Sequence, residues 1–271
     1  MTTGVHPPPK LSDAIGSFPY RLQLAGGWID QPFVSALNPE PPGSMVVVSL
    51  EPAFPMMERA GMATGSRKIA MELWPQGLAD SDPARLVEDL YATENRGKAE
   101  PSGTQDMIGL IYPGVSRLDY DAGFRGGVFP VRIESNNDAA TARWLERVIH
   151  LLPIAPRPPG YNPLGVKRLD PARIRDLGRS GGDCFRAIVA RDAAALGASL
   201  NATMDCWEAL LPQTVRHPAI TIDLVTLLRH YQSRYPGAMY SGCGGGYLTV
   251  VSTEPVPGSL QVKVRVALPS P

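Results

Sequence analysis

Gly61-Met62-Ala63-Thr64-Gly65-Ser66 stands ahead of a helical run in this 271-residue chain. Small residues and hydroxyls at a helix start form an anion site, because free backbone N–H groups and the positive dipole end point at the ligand. Arg67 and Lys68 follow in the first turn, where a cation costs about 0.3–1 kcal/mol unless an anion binds beside it. The plainer alternative is a cap by Thr64 or Ser66 with two solvated basic residues. A second feature, Ser241-Gly242-Cys243-Gly244-Gly245-Gly246, lies between two strand-like runs. It reads as a hairpin, or as a place where a ligand or another loop approaches the backbone closely. It feeds no helix, which excludes a dinucleotide-binding loop. Taken singly, Asp106 in Ser102-Gly103-Thr104-Gln105-Asp106-Met107 is a dipole-satisfying cap, and Asp30 in Gly26-Gly27-Trp28-Ile29-Asp30 is a turn residue.

Two other patterns are set aside. Gly178-x-Ser180-x-Gly182 matches a hydrolase nucleophile elbow in spacing, but charged, helix-like residues precede it where an apolar strand is required. None of His6, His150, His217 and His230 falls in a metal-ligand spacing.

The elements that must position these residues are short, since Gly and Pro make up 27 and 28 residues. Residues 1 to 17 read as a loose leader. Tyr20, Leu22 and Leu24 alternate as a strand, and Met45 to Leu50 is a buried strand by its β-branched content. The spacing predicts helices over Thr64–Leu73, Ser81 or Asp82 to about Thr93 (Leu86, Val87 and Leu90 inward), and Asp106–Tyr112. A helix near Asp138–Glu146 separates strands over Phe129–Glu134 and Arg147–Ala155. Pro156 to Pro163 is the expected hinge. Helices over Cys184–Leu196, Ser199–Leu211 and Thr221–Arg234 precede strands over Ala238–Ser241, Tyr247–Val251 and Leu260–Leu268. The mixture lacks a regular βαβ beat, so the class is α+β with two lobes, residues 1–155 and 156–271.

In order, the motifs resemble the GHMP kinase superfamily. Arg21-Leu22-Gln23-Leu24-Ala25-Gly26-Gly27-Trp28-Ile29-Asp30 is similar to the R-x-x-L-A-G-G-W-x-D of the fucose kinase and heptose 7-phosphate kinase branch. Gly237 to Gly246 is similar to the family's C-terminal glycine motif, and Gln105-Asp106 sits where that branch carries G-G-x-Q-D-Q. His217-Pro218-Ala219-Ile220 resembles its N-P-E-I turn. The resemblance implies a ribosomal-S5-like N-terminal lobe and a ferredoxin-like C-terminal lobe, with ATP, Mg2+ and a sugar or sugar phosphate meeting between them. It gives Asp106 the role of catalytic base and Arg21 that of its steadying cation. Gly26, Gly27, Trp28, Asp30, Gly242, Gly244 and Gly245 would line the substrate site, with Gly246 helping the two loops pack. Gly61, Ala63, Thr64, Gly65, Ser66 and Arg67 would bind nucleotide, the Thr64 and Ser66 hydroxyls serving the metal.

The phosphate loop is degenerate: Ala63 stands for a glycine, Arg67 and Lys68 for small or apolar residues, and Met107 for a glutamine. The implied activity is ATP-dependent phosphorylation of a sugar-type hydroxyl. The alternatives are a GHMP-fold protein without ATP turnover that binds a phosphorylated ligand or a partner, and a non-kinase enzyme on the same fold.

Composition bounds the rest. Twenty-six basic and 26 acidic side chains balance, so bulk charge offers no attraction to nucleic acid or an acidic membrane. No run reaches the ~18–20 apolar residues of a membrane span. Three separated cysteines, Cys184, Cys206 and Cys243, fit neither a disulfide framework nor a zinc site. These features, with a proline-bearing N-terminus, predict a cytoplasmic protein; the expected assembly, on which these features do not bear, is a monomer or homodimer.

Overall fold

The computed structural model describes residues 18–98 and 101–267. The expected leader over residues 1–17, with His6, and the end of the last expected strand at Leu268 lie outside them. The first sheet is antiparallel, in the order β1 (Tyr20–Gln23), β2 (Gly43–Leu50), β3 (Val115–Tyr120), β4 (Arg132–Asn136). Its register sets Arg21 opposite Ser49 and Val47 opposite Ser116. The second sheet has the order β6 (Gly237–Gly242), β7 (Gly245–Val251), β5 (Ile149–Ala155), β8 (Leu260–Gln261).

A one-turn helix α1 (Pro32–Ser35) precedes α2 (Thr64–Leu73), α3 (Pro83–Glu94), α4 (Gln105–Ile111) and α5 (Ala139–Val148). Then come α6 (Pro171–Ala190), α7 (Ala193–Leu210) and α8 (Leu224–Gln232). Local chemistry accounts for their starts. Asp82 caps α3 by accepting from the Ala84 N–H, with Pro83 in the first turn, and Leu86, Val87 and Leu90 are buried as the spacing predicts. Asp138, Asp170, Asp192 and Asp223 cap α5 to α8 in the same way.

The paired helices α6 and α7 tie the two sheets together, α6 against β2 and α7 against β6. A Cβ on Gly181 would sit 2.0 Å from the Ser44 carbonyl oxygen, so the glycines around Ser180 serve helix-on-strand contact. Ser180 is buried and donates to the Leu177 carbonyl within its own helix, as the rejection of a nucleophile elbow requires.

Several boundaries differ from expectation. The α6–α7 break falls at Arg191, in a left-handed conformation, followed by the Asp192 cap, rather than near Gly197. Gly197 instead lets α7 touch the backbone of Pro236 and Gly237. Strand β3 has no counterpart in the periodicity. The last strand is paired only over Leu260–Gln261, plus a bridge from Val264 to Leu50. Around the expected lobe boundary after residue 155, β5 hydrogen-bonds into the second sheet, while α6 from the second half covers β2. The halves of the chain therefore exchange elements. Among the described residues no helix is long and apolar enough to cross a membrane.

Candidate active site

Strand β1 delivers Arg21 to the first turn of α4. Its Nη2 donates to Asp106 Oδ1 and its Nη1 donates to the Gly61 carbonyl at 3.2 Å. Gly109 makes this possible: a Cβ there would stand 2.0 Å from Arg21 Cγ, so the arginine lies directly across the helix. Asp106 is fixed by a charge-assisted bond while one edge remains open to the cleft.

The loop after β1 is pinned from α7. Trp207 Nε1 donates to the Gly27 carbonyl at 3.0 Å, and the Gly26 N–H donates to Thr203 Oγ1 at 3.1 Å. Gly26 has φ +83, and a Cβ there would be 2.2 Å from the Ser44 oxygen. Asp30, 1% exposed, ends this loop against Gly103, whose missing side chain leaves room for its Oδ2. Burial first, and the Asp106 charge second, push the Asp30 carboxyl up to about 6.

The glycine cluster meets the loop before α2 backbone to backbone. A Cβ on Gly61 would be 2.7 Å from Gly242 Cα, and one on Gly246 would be 2.3 Å from the Ala60 oxygen. Ser241 Oγ donates to that same Ala60 carbonyl at 2.7 Å.

Two adjoining cavities result. A smaller one, about 190 Å³, is lined by Trp28, Asp30, Gln31, Gln105 and Trp207 among others. A larger one, about 520 Å³, runs along the start of α2, past Ala63, Thr64, Gly65, Ser66 and Lys68. Arg21, Gly61, Asp106, Arg157 and Pro163 border both. Asp106 thus stands at the junction, facing either chamber.

The sequence-derived residues divide accordingly. Asp106, Arg21, Trp28, Asp30 and Gly242 line the small cavity, and Gly61, Ala63, Thr64, Gly65 and Ser66 the large one. Gly26 and Gly27 border neither cavity and shape the loop instead, while Gly244 faces the Tyr161 ring and Gly245 the Ala155 carbonyl. Arg67, expected as a nucleotide ligand, borders neither cavity. It is 8% exposed, donates from Nε to the Phe18 carbonyl at 3.1 Å, and lies over the Tyr20 ring. Burial lowers its pKa, as expected of a cation set into the core. Lys68 is exposed and paired with Glu58 at 3.1 Å. Met107 is buried in the core.

Three contributors carried no sequence signal. Arg157 and Pro163 come from the expected hinge. Glu94 is the last residue of α3. Its Oε1 accepts from Ser102 Oγ at 3.0 Å, while Oε2 is buried without a partner. Glu94, Thr64 and Ser66 all border the larger cavity, and such hard oxygen donors suit a magnesium ion. The described residues hold no cluster of three or more His, Cys, Asp or Glu able to bind a metal unaided. Burial pushes the Cys243 thiol up to about 11, so it is neutral near pH 7.

The sequence matches no family model and no curated protein. The fold has many counterparts among solved structures. A D-glycero-D-manno-heptose 1-phosphate kinase from Bacteriodes thetaiotaomicron aligns over 92% of this chain and 96% of its own, with a TM-score of 0.53 and 11% identity. Methanococcus jannaschii mevalonate kinase aligns over 86% and 88%, with a TM-score of 0.56 and 8% identity. Lactococcus lactis galactokinase, complexed with galactose, aligns over 87% and 84%, with a TM-score of 0.55 and 11% identity. The chain has the GHMP kinase fold.

Proposed function

We propose that this protein is a small-molecule kinase that transfers the terminal phosphoryl group of Mg-ATP to a hydroxyl of a sugar or sugar phosphate. The observation that carries the reading is the position of Asp106, ion-paired to Arg21 and bordering both cavities. In this reading the acceptor occupies the small cavity, with its hydroxyls toward Asp30, Gln31 and Gln105. Asp106 accepts the proton of the attacking hydroxyl. Arg21 keeps that carboxylate oriented. The nucleotide phosphates lie against the N–H groups at the start of α2, where the dipole favours negative charge.

Thr64, Ser66 and Glu94 would hold magnesium, which when bound neutralises phosphate charge. Positioning and charge neutralisation are what phosphoryl transfer chiefly requires. The degenerate loop is compatible with this reading. Ala63 adopts φ +55, the left-handed form a glycine would take, and Arg67 turns away from the cavity. The similarity to the fucose kinase and heptose 7-phosphate kinase branch in residues 21–30 favours a sugar-type acceptor.

The test is calorimetric titration of the folded protein with Mg-ATP, alone and with a panel of hexoses and heptose phosphates. Saturable binding, followed by product formation with one acceptor, is expected. Absence of any heat from Mg-ATP sinks the kinase reading.

A further inference from the structure

We propose that Arg157 is the cation that stabilises the phosphoryl group in transit between the two cavities. The inference rests on the kinase reading above. Five cationic side chains border the larger cavity: Arg21, Arg59, Lys68, Lys98 and Arg157. Three are matched by carboxylates, Arg21 by Asp106, Lys68 by Glu58 and Lys98 by Glu94. Arg59 reaches only this chamber and donates its Nη2 to the Pro158 carbonyl at 2.8 Å. Arg157 has no carboxylate partner among the described residues, and it borders both chambers. Of the two cations at the junction, it is the one that no carboxylate of the described residues answers.

The side chain is also held in place. Its backbone N–H donates to the Arg59 carbonyl at 3.0 Å, and its Nε donates to the Cys243 carbonyl at 2.8 Å. Nη2 lies against Gly242, where a Cβ would come within 2.8 Å. Neither Nη atom has a hydrogen-bond partner among the described residues, neither is a buried orphan, and the residue borders both chambers. One edge of the guanidinium is thus used for anchoring, and the remaining donors are free for a planar anion.

During transfer, the acceptor oxygen bonds to the terminal phosphorus as its proton passes to Asp106. The bridging P–O bond breaks, with its electron pair leaving on the departing nucleoside diphosphate. Charge builds on the three peripheral oxygens between the chambers, and preorganised donors aimed there stabilise the transition state most. Arg21 is committed to Asp106 and Gly61, so Arg157 supplies those donors.

The test compares wild type, Arg157→Lys and Arg157→Met by calorimetry with magnesium tripolyphosphate and with Mg-ATP. Circular dichroism and thermal melts establish that each variant is folded. Arg157→Met is expected to lose about tenfold or more in tripolyphosphate affinity. Arg157→Lys should keep most of that affinity yet lose about 10²–10³-fold in single-turnover transfer, because it lacks the fork. Millimolar guanidinium chloride should restore part of the turnover of an Arg157→Ala variant, a recovery that a packing defect would not show. Unchanged affinity and transfer in Arg157→Met overturns the role of Arg157 and leaves the kinase reading standing. Wild type that binds tripolyphosphate but not Mg-ATP, or neither, overturns the kinase reading and the transit role with it.

Discussion

Arg21 and Asp106 form an unequal pair, for the arginine side chain is 5% exposed and the aspartate 30%. The buried partner is anchored twice, to Asp106 and to the Gly61 carbonyl, while the carboxylate presents a free edge to the cleft. Such an arrangement orients a base without covering it. Asp106→Asn should keep the fold and lower transfer by about 10²-fold or more, since an amide takes no proton from a hydroxyl. The cost in stability should be about 1–3 kcal/mol, because the buried guanidinium loses its anionic acceptor. Single-turnover phosphate transfer and urea unfolding read the two effects separately. Full turnover in the asparagine variant sinks the assignment.

Asp30 leads to a stability prediction with a definite sign. Its carboxyl is raised from 3.8 to about 6, so between those values the folded state holds a proton that the unfolded state has released. The contribution of Asp30 to stability is therefore present below about pH 4 and lost as pH rises through 6. Ionised and buried above that range, Asp30 costs on the order of 2–3 kcal/mol. Asp30→Asn should thus match wild type at pH 4 and exceed its unfolding free energy at pH 8, while weakening acceptor binding. Urea titrations at the two pH values decide it. A variant no more stable than wild type at pH 8 would falsify the burial argument.

What the residues disclose in order, and what they do not, follows from the range of each constraint. Glycines at 26, 61 and 246 are demanded by positive φ and by backbone within 3 Å, and such local necessity leaves a mark in the chain. The buried face of α3 was legible for the same reason. Strand β3 was not, because Arg117 and Asp119 form an ion pair on one of its faces, Asp119 bonds Ser44 across the sheet, and the period-two apolar signal is lost. Arg157 and Glu94 were invisible because each owes its place to the cavity it borders, which no short window contains. Arg67 shows the complementary case. A charge in a first helical turn looks solvated or functional until Tyr20 and the Phe18 carbonyl are found beside it.

Ala63 precedes α2 with φ +55 and ψ +27 and caps nothing with its side chain. A β-carbon in this conformation costs about 1–2 kcal/mol, of which a glycine would return part to the extra freedom of the unfolded chain. Ala63→Gly should therefore stabilise the protein by about 0.5–1 kcal/mol and leave Mg-ATP affinity equal or higher. Chemical denaturation and calorimetry measure both. Destabilisation by this change would mean that the backbone at residue 63 is not held in the left-handed region.

Contact between the glycine cluster and the loop before α2 can be isolated by a matched pair of substitutions. Gly246 and Gly258 have φ +84 and +77, so an alanine at either carries nearly the same backbone cost. They differ in what the new methyl meets. At Gly258 there is nothing within 4 Å, whereas at Gly246 the Ala60 carbonyl oxygen is 2.3 Å away and belongs to backbone that cannot rotate aside. Gly246→Ala should accordingly cost about 1–3 kcal/mol more than Gly258→Ala. It should also weaken Mg-ATP binding, because the hydrogen bond from Ser241 to Ala60 holds the same loop that carries Gly61 between Arg21 and Gly242. Equal losses in the two variants would show that the loops are not in contact, and that the cleft is shaped by something other than this close approach.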